Sequence, residues 1–156
     1  MSSYGRTSSN AIAIAALLAE RYEAKKRTTS QEAAKIRGIS KPLAARILVQ
    51  LSQVDLVSGT PGPNGGYALA RAPQEIRLSE IVSVFQKVEA SERCAYGPGW
   101  CGTGKHCPLH DHLTELDQQY LSFLEKTTLD VFEGQSADTV AIPEPPPKHR
   151  GRPVKN

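Results

Sequence analysis

The stretch Pro61-Gly62-Pro63-Asn64-Gly65-Gly66 constrains this chain more than any other. Proline removes a backbone N–H and glycine gives up the most conformational freedom on ordering, so no helix runs through such a stretch. On either side stand two short apolar segments, Leu56-Val57-Ser58-Gly59 and Tyr67-Ala68-Leu69-Ala70. Two such segments around a Gly/Pro/Asn turn predict a β-hairpin.

Everything before the hairpin reads as helix. From 11 to about 25, apolar residues recur at spacings near three and four through Ile12, Ile14, Ala15, Leu18, Ala19 and Tyr22. Ser8, Ser9 or Asn10 is available as the cap of this helix. Thr28-Thr29-Ser30 breaks the pattern, and Thr29 or Ser30 can cap a short second helix over 31–37 that Gly38 closes. Ser40 can cap a third, with Pro42 in its first turn, where a missing N–H costs little. That helix runs through Leu43, Ile47, Leu48 and Leu51 to about Val54. Three helices, a tight turn at Gly38 and a hairpin follow the order of a winged helix-turn-helix. The expected fold class is mainly α with a small β-hairpin wing.

The charge is arranged to match. Residues 1–52 carry nine Lys/Arg against three Asp/Glu, a net of +6. Residues 53–133 carry six against eleven, a net of −5, and 134–156 carry four against two, a net of +2. A basic first segment meets a polyanion while the acidic middle does not. On the third helix Ser40, Lys41, Pro42 and Arg46 are placed to face the major groove, where Lys41 and Arg46 reach phosphates or guanine edges. For Arg46 the competing reading is a surface salt bridge. Asn64 at the wing tip either reaches the minor groove or sugar-phosphate, or only supplies a left-handed turn residue.

With 156 residues, 39% of them apolar and 22% charged, the chain is one ordinary domain with appendages, not a collagen, a disulfide scaffold or a wholly disordered chain. The longest apolar run, Ala11 to Ala19, is far short of the ~20 residues a membrane span needs. It leads into Glu20-Arg21 with no small-x-small cleavage site, so a cytoplasmic protein is expected. No nucleophile–base pair or paired carboxylates stand out, and neither an enzyme nor a small-molecule substrate is expected.

After a fourth amphipathic segment, 78–88, the chain changes character. Residues 92–110 hold all three cysteines in the pattern Cys94-x6-Cys101-x5-Cys107-x2-His110, with Gly97, Gly99, Gly102 and Gly104 between them. Three thiolates and an imidazole on a glycine-rich loop can wrap one metal centre. The pattern lacks the short C-x2-C knuckle of structural zinc, and its long gaps suit a cluster whose ligands bind different iron atoms. A zinc site and three unrelated buried thiols are the competing readings. His110 stands either as a ligand or as a helix cap, with His106 and His112 as competitors. From 112 to 132 the pattern returns to helix, one face being Leu113, Leu116, Tyr120, Phe123, Leu124 and Thr127. The organisation expected is a DNA-binding domain over 1–72, then a linking helix, cysteine loop and long helix over 73–133. A proline-rich basic tail, 134–156, cannot bury enough apolar surface to order itself. Its Arg150-Gly151-Arg152-Pro153 is similar to an AT-hook core, two arginines on an extended backbone for the minor groove of A·T-rich DNA, or is merely a solubilising end.

Over residues 6–133 the sequence resembles the dimeric winged-helix iron–sulfur regulators typified by IscR, NsrR and RirA. The resemblance rests on Thr7-Ser8, Gly38-Ile39-Ser40, Leu56-Val57 and Gly62-Pro63-Asn64-Gly65-Gly66-Tyr67-x-Leu69, with the segment 76–88, the three-cysteine loop and Thr127-Thr128-Leu129-Asp130. It implies a homodimer in which a long helix over 109–132 crosses its partner, and a cluster sensing iron supply, redox state or nitric oxide. The Cys-x2-His ending is closest to the IscR branch, which implies a 2Fe–2S centre on Cys94, Cys101, Cys107 and His110. A 4Fe–4S centre is the alternative, since the first gap is six residues where that branch has five. The helix Lys41-Pro42-Leu43-Ala44-Ala45-Arg46 lacks that branch's acidic and glutamine pair, so the operator is not carried over. The expectation is a cluster-controlled transcription factor. Its alternatives are a zinc-bound or metal-free repressor and, from another class, an iron–sulfur carrier or electron-transfer protein.

Overall fold

The computed structural model describes residues 5–88 and 107–135. Three helices, α1 (Arg6–Glu20), α2 (Ser30–Arg37) and α3 (Lys41–Gln53), precede two strands, β1 (Val57–Thr60) and β2 (Gly66–Leu69). After a 3-10 turn at Pro73–Glu75 come α4 (Leu78–Ser83), the long α5 (His110–Lys126) and a second 3-10 turn at Leu129–Phe132. The strands pair antiparallel, Val57 with Leu69 and Thr60 with Gly66. Ile14, Ile47, Leu48, Leu51, Ile76 and Leu129 share one buried cluster, so the core draws on the helix-turn-helix and on the segments after the wing together. The mainly helical fold with a hairpin is the expected one.

Several helix ends differ from the sequence pattern, each for a physical reason. α1 starts at Arg6 behind Gly5, and Ser8, Ser9 and Asn10 lie inside it instead of capping it. Ser8 is 1% exposed and continues the inward stripe of Ala11, Ala15 and Leu18 one turn upstream. Its hydroxyl donates to Gln86 Oε1 at 3.1 Å, so a polar residue hides the periodicity while being satisfied. The helix ends at Glu20, not near Lys25, where the backbone turns left-handed at φ 51°. α4 stops at Ser83, not Val88: the Ser83 hydroxyl donates back to the Ser79 carbonyl at 2.6 Å, and Phe85 N–H closes a tighter turn onto Val82 O at 3.0 Å.

α5 ends at Lys126 and does not reach Phe132. Thr127 and Thr128 are extended and pair with the segment before α4. Leu78 N–H donates to Thr127 O at 2.9 Å, Leu129 N–H to Ile76 O at 3.0 Å, and Arg77 Nη1 meets Glu125 Oε1 at 2.6 Å. Two β-branched residues favour that extended bridge over another helical turn.

Candidate functional site

The helix-turn-helix is built by local chemistry. Thr29 is the N-cap of α2, its hydroxyl accepting from Glu32 N–H at 3.2 Å. Gly38 ends α2 at φ 62° and ψ 33°, and Ile39 N–H folds back to Ala34 O at 2.9 Å. This left-handed closure lets α3 begin three residues later. Ser40 is the N-cap of α3 through its backbone, its carbonyl accepting from Ala44 N–H at 3.0 Å, while its hydroxyl makes no capping bond. Ala44, Ile47, Leu48 and Leu51 face the core, which leaves Ser40, Lys41, Pro42 and Arg46 exposed together on the first turns. Arg46 has no ion-pair partner among the described residues. Lys41 Nζ donates to Gln31 Oε1 at 3.3 Å and so ties the start of α3 to the start of α2.

The wing turn is closed by Gly65 N–H donating to Gly62 O at 2.9 Å, with Asn64 exposed at its tip. Asn64 is not the left-handed residue of this turn: the positive φ angles belong to Gly62 at 102° and Gly66 at 131°. Sequence reasoning also misses a third edge to the wing. Thr28 is fully buried, its N–H donating to Tyr67 O at 2.9 Å and its carbonyl accepting from Tyr67 N–H at 2.8 Å. The sequence offers Thr29 or Ser30 as the cap of α2; Thr29 is the one that caps, and Thr28 before it is taken by the wing.

Two ion pairs lock the helices behind this surface. Arg21 meets Glu32 at 2.7 Å, and Arg37 meets Glu20 at 2.6 Å with both side chains largely buried. Burial alone pushes the Glu32 carboxyl up, but the Arg21 hydrogen bond and charge, with Lys26 and the Thr29 backbone, outweigh it and hold the group below its ordinary value.

Of the cysteine loop, the described residues include Cys107 and His110, both half-buried. His110 is the first residue of α5, behind the N-cap Leu109, so it is not the helix cap. Its N–H donates to Cys107 O at 2.9 Å, and this turn brings the two residues to the same end of the helix. Cys94, Cys101 and His106 lie outside the described residues, as do Arg150 and Arg152 of the tail. Among the described residues no three His, Cys, Asp or Glu side chains gather into a metal site. His112 is exposed on α5. No described helix is long and apolar enough to cross a membrane.

Residues 4–132 match the Rrf2 family, described as iron-dependent transcriptional regulators. The chain belongs to the Rrf2 family. It is 33% identical over 115 residues to the HTH-type transcriptional regulator IscR of Cereibacter sphaeroides, which covers 72% of this chain and 74% of that protein. To IscR of Klebsiella pneumoniae it is 31% identical over 93 residues, 60% of this chain and 56% of that protein. Among solved structures, CymR (YrzC), the global cysteine regulator of B. subtilis, matches with a TM-score of 0.69 at 19% identity, over 85% of this chain and 97% of that one. IscR of T. potens matches with a TM-score of 0.66 at 18% identity, over 90% and 93%. At those identities the two structures speak for the fold, a winged helix of the Rrf2 type. Rrf2 proteins are DNA-binding regulators of transcription, not enzymes.

Proposed function

We propose that this Rrf2 protein is a homodimer whose hold on its operator is set by an iron–sulfur cluster on Cys94, Cys101, Cys107 and His110. The observation that carries this reading is the turn from Cys107 to His110 at the start of α5. Two ligand-type side chains one turn apart share the positive end of a helix dipole, which suits an anionic centre placed there. Three thiolates and one imidazole favour a 2Fe–2S centre, with 4Fe–4S as the alternative. When bound, it would supply redox change and an iron able to take up nitric oxide. The chain's own part is to carry the position of Cys107 and His110 along α5 to the helix-turn-helix, through the bonds that join Thr127 and Leu129 to the segment before α4. In the reading proposed, Ser40, Lys41, Pro42 and Arg46 enter the major groove and Asn64 the minor groove or sugar-phosphate, with Arg150 and Arg152 adding a second minor-groove contact. Partner pairing uses α5 and its N-cap, where Leu109, Leu116 and Phe123 are each about half exposed at intervals of seven residues.

The test is anaerobic purification with visible absorption and iron and sulfide analysis, joined to selection of DNA by holo and apo protein. The expected result is a coloured protein with different DNA affinity in the two forms, and loss of the chromophore in Cys94→Ala, Cys101→Ala and Cys107→Ala. His110→Ala should leave one iron open to an exogenous ligand. A colourless protein holding zinc, or full iron and sulfide in all three cysteine variants, overturns the cluster.

A further inference from the structure

A basic stretch of the chain lies outside both the recognition helix and the wing tip. The stretch 21–27 that joins α1 to Thr28, the residue that pairs with β2, ends in Lys25-Lys26-Arg27. Lys25 and Lys26 are exposed and Arg27 is half-buried. Arg27 Nη1 lies 3.5 Å from the carbonyl oxygen of Gly66, the first residue of β2 after the wing turn. On the other side, Thr29 caps α2, and Gln31 of α2 accepts from Lys41 of α3. The stretch 27–31 therefore touches the wing at one end, through Arg27, and the first residue of the recognition helix at the other, through Gln31.

The position has a consequence in the geometry of a duplex. A helix in the major groove and a wing in the adjacent minor groove have one sugar-phosphate strand between them. Side chains on the protein between helix and wing meet that strand, whatever the base sequence. The charges suit it. Arg21 is engaged by Glu32, and Lys26 is 3.8 Å from the same carboxylate with its side chain 59% exposed. Lys25 and Arg27 have no ion-pair partner among the described residues. All three basic residues border one open concavity of about 560 Å³ beside β2, which Glu23 and Glu133 also border. Positive charge exceeds negative there, and the two that are unpaired lie on the stretch leading to the wing edge.

We infer that Lys25, Lys26 and Arg27 clamp the phosphate strand that runs between the groove read by α3 and the groove read by the wing. This rests on the proposed placement of α3 and the wing on DNA. The clamp supplies affinity and register without sequence information, since phosphates are the same at every step. It divides the surface into a reading part, Arg46 and its neighbours, and a holding part before α2.

The test is a salt titration of the full-length holo protein on two duplexes, an operator recovered by selection and a mixed-sequence duplex of equal length. The double variant Lys25→Gln, Arg27→Gln should weaken binding to both by the same factor. Its plot of log K against log salt should flatten by about 0.9 for each phosphate the variant no longer neutralises. Arg46→Ala should instead lower the ratio of operator to mixed-sequence affinity. If Arg27→Gln loosens the wing, seen as a lower thermal midpoint, the single variant Lys25→Gln carries the test, because its side chain is exposed. Wild-type salt slope and affinity in a folded variant overturn the clamp and leave DNA binding standing. A wild-type protein with no salt-dependent affinity for either duplex overturns both readings.

Discussion

Gly66 stands at φ 131°, and a Cβ placed there would lie 3.0 Å from the Thr28 carbonyl carbon and oxygen. Gly65 beside it is excluded for another reason: its Cβ would come within 2.2 Å of the Thr60 carbonyl oxygen. The two glycines thus answer two needs, one a backbone region closed to L side chains and the other simple lack of room. Gly66→Ala should lower stability by about 1–3 kcal/mol, combining backbone strain with displacement of Thr28 from Tyr67. Thermal denaturation measures the loss, and amide exchange at Thr28 and Tyr67 shows whether the wing edge has come apart. An unchanged midpoint means the third edge of the wing contributes nothing to holding it. The Gly-Gly-Tyr sequence is legible as a turn before a strand. The reason for two glycines is not, because it depends on Thr28, far away in sequence.

The helices show the same division between local and distant causes. Thr29 and Gly38 mark helix ends through bonds to residues within five positions, and Pro42 does so through its fixed φ in the first turn. Gly38 and Pro42 are where the sequence puts them, and Thr29 is one of its two cap candidates. The ends of α1 and α5 answer to Gln86 and to the Ile76–Leu78 segment, distant in sequence, and the end of α4 to the Ser83 back-bond, which is local but which apolar periodicity cannot see. For the site, the Cys107-x2-His110 turn is visible as spacing, while the contacts of 27–31 with the wing and with Lys41 exist only after folding. At the scale of α1 and α2 the Arg21–Glu32 pair gives a pH dependence of known sign. Glu32 has its pKa lowered in the folded chain. Its stabilisation is therefore present above the unfolded carboxylate pKa and is lost as pH falls through the folded value. Glu32→Gln should lower the thermal midpoint at neutral pH, and the gap from wild type should close as the solution is taken below the carboxylate range. Paired thermal melts across that range check it; a gap that stays constant would assign the effect to packing alone.

For the whole molecule, α5 buries the least for its length among the described helices. Leu124 is its one buried residue, while Leu116 and Phe123, and Leu109 at its N-cap, are about half exposed. In the proposed dimer the face that α5 leaves exposed is covered by the partner's α5. Leu116→Asp should shift the protein to monomer, seen by sedimentation, and weaken operator binding through loss of the paired half-site. A variant that stays dimeric at the wild-type affinity would place the interface elsewhere. The bonds from Leu78 to Thr127 and from Ile76 to Leu129, with the Arg77–Glu125 pair, fasten one end of α5 to the DNA-binding head. The other end carries Cys107 and His110. At 1.5 Å per residue, the 17 residues of α5 form an arm of about 25 Å. On such a crank, a tilt of roughly 5° at the fastened end corresponds to a travel of roughly 2 Å at the cysteine end. A rearrangement no longer than one covalent bond or so at His110 is thus geared down to a small rotation of the head, and a head seated on DNA resists the reverse motion. Whatever holds Cys107 and the duplex would then be coupled as two loads on one rigid bar.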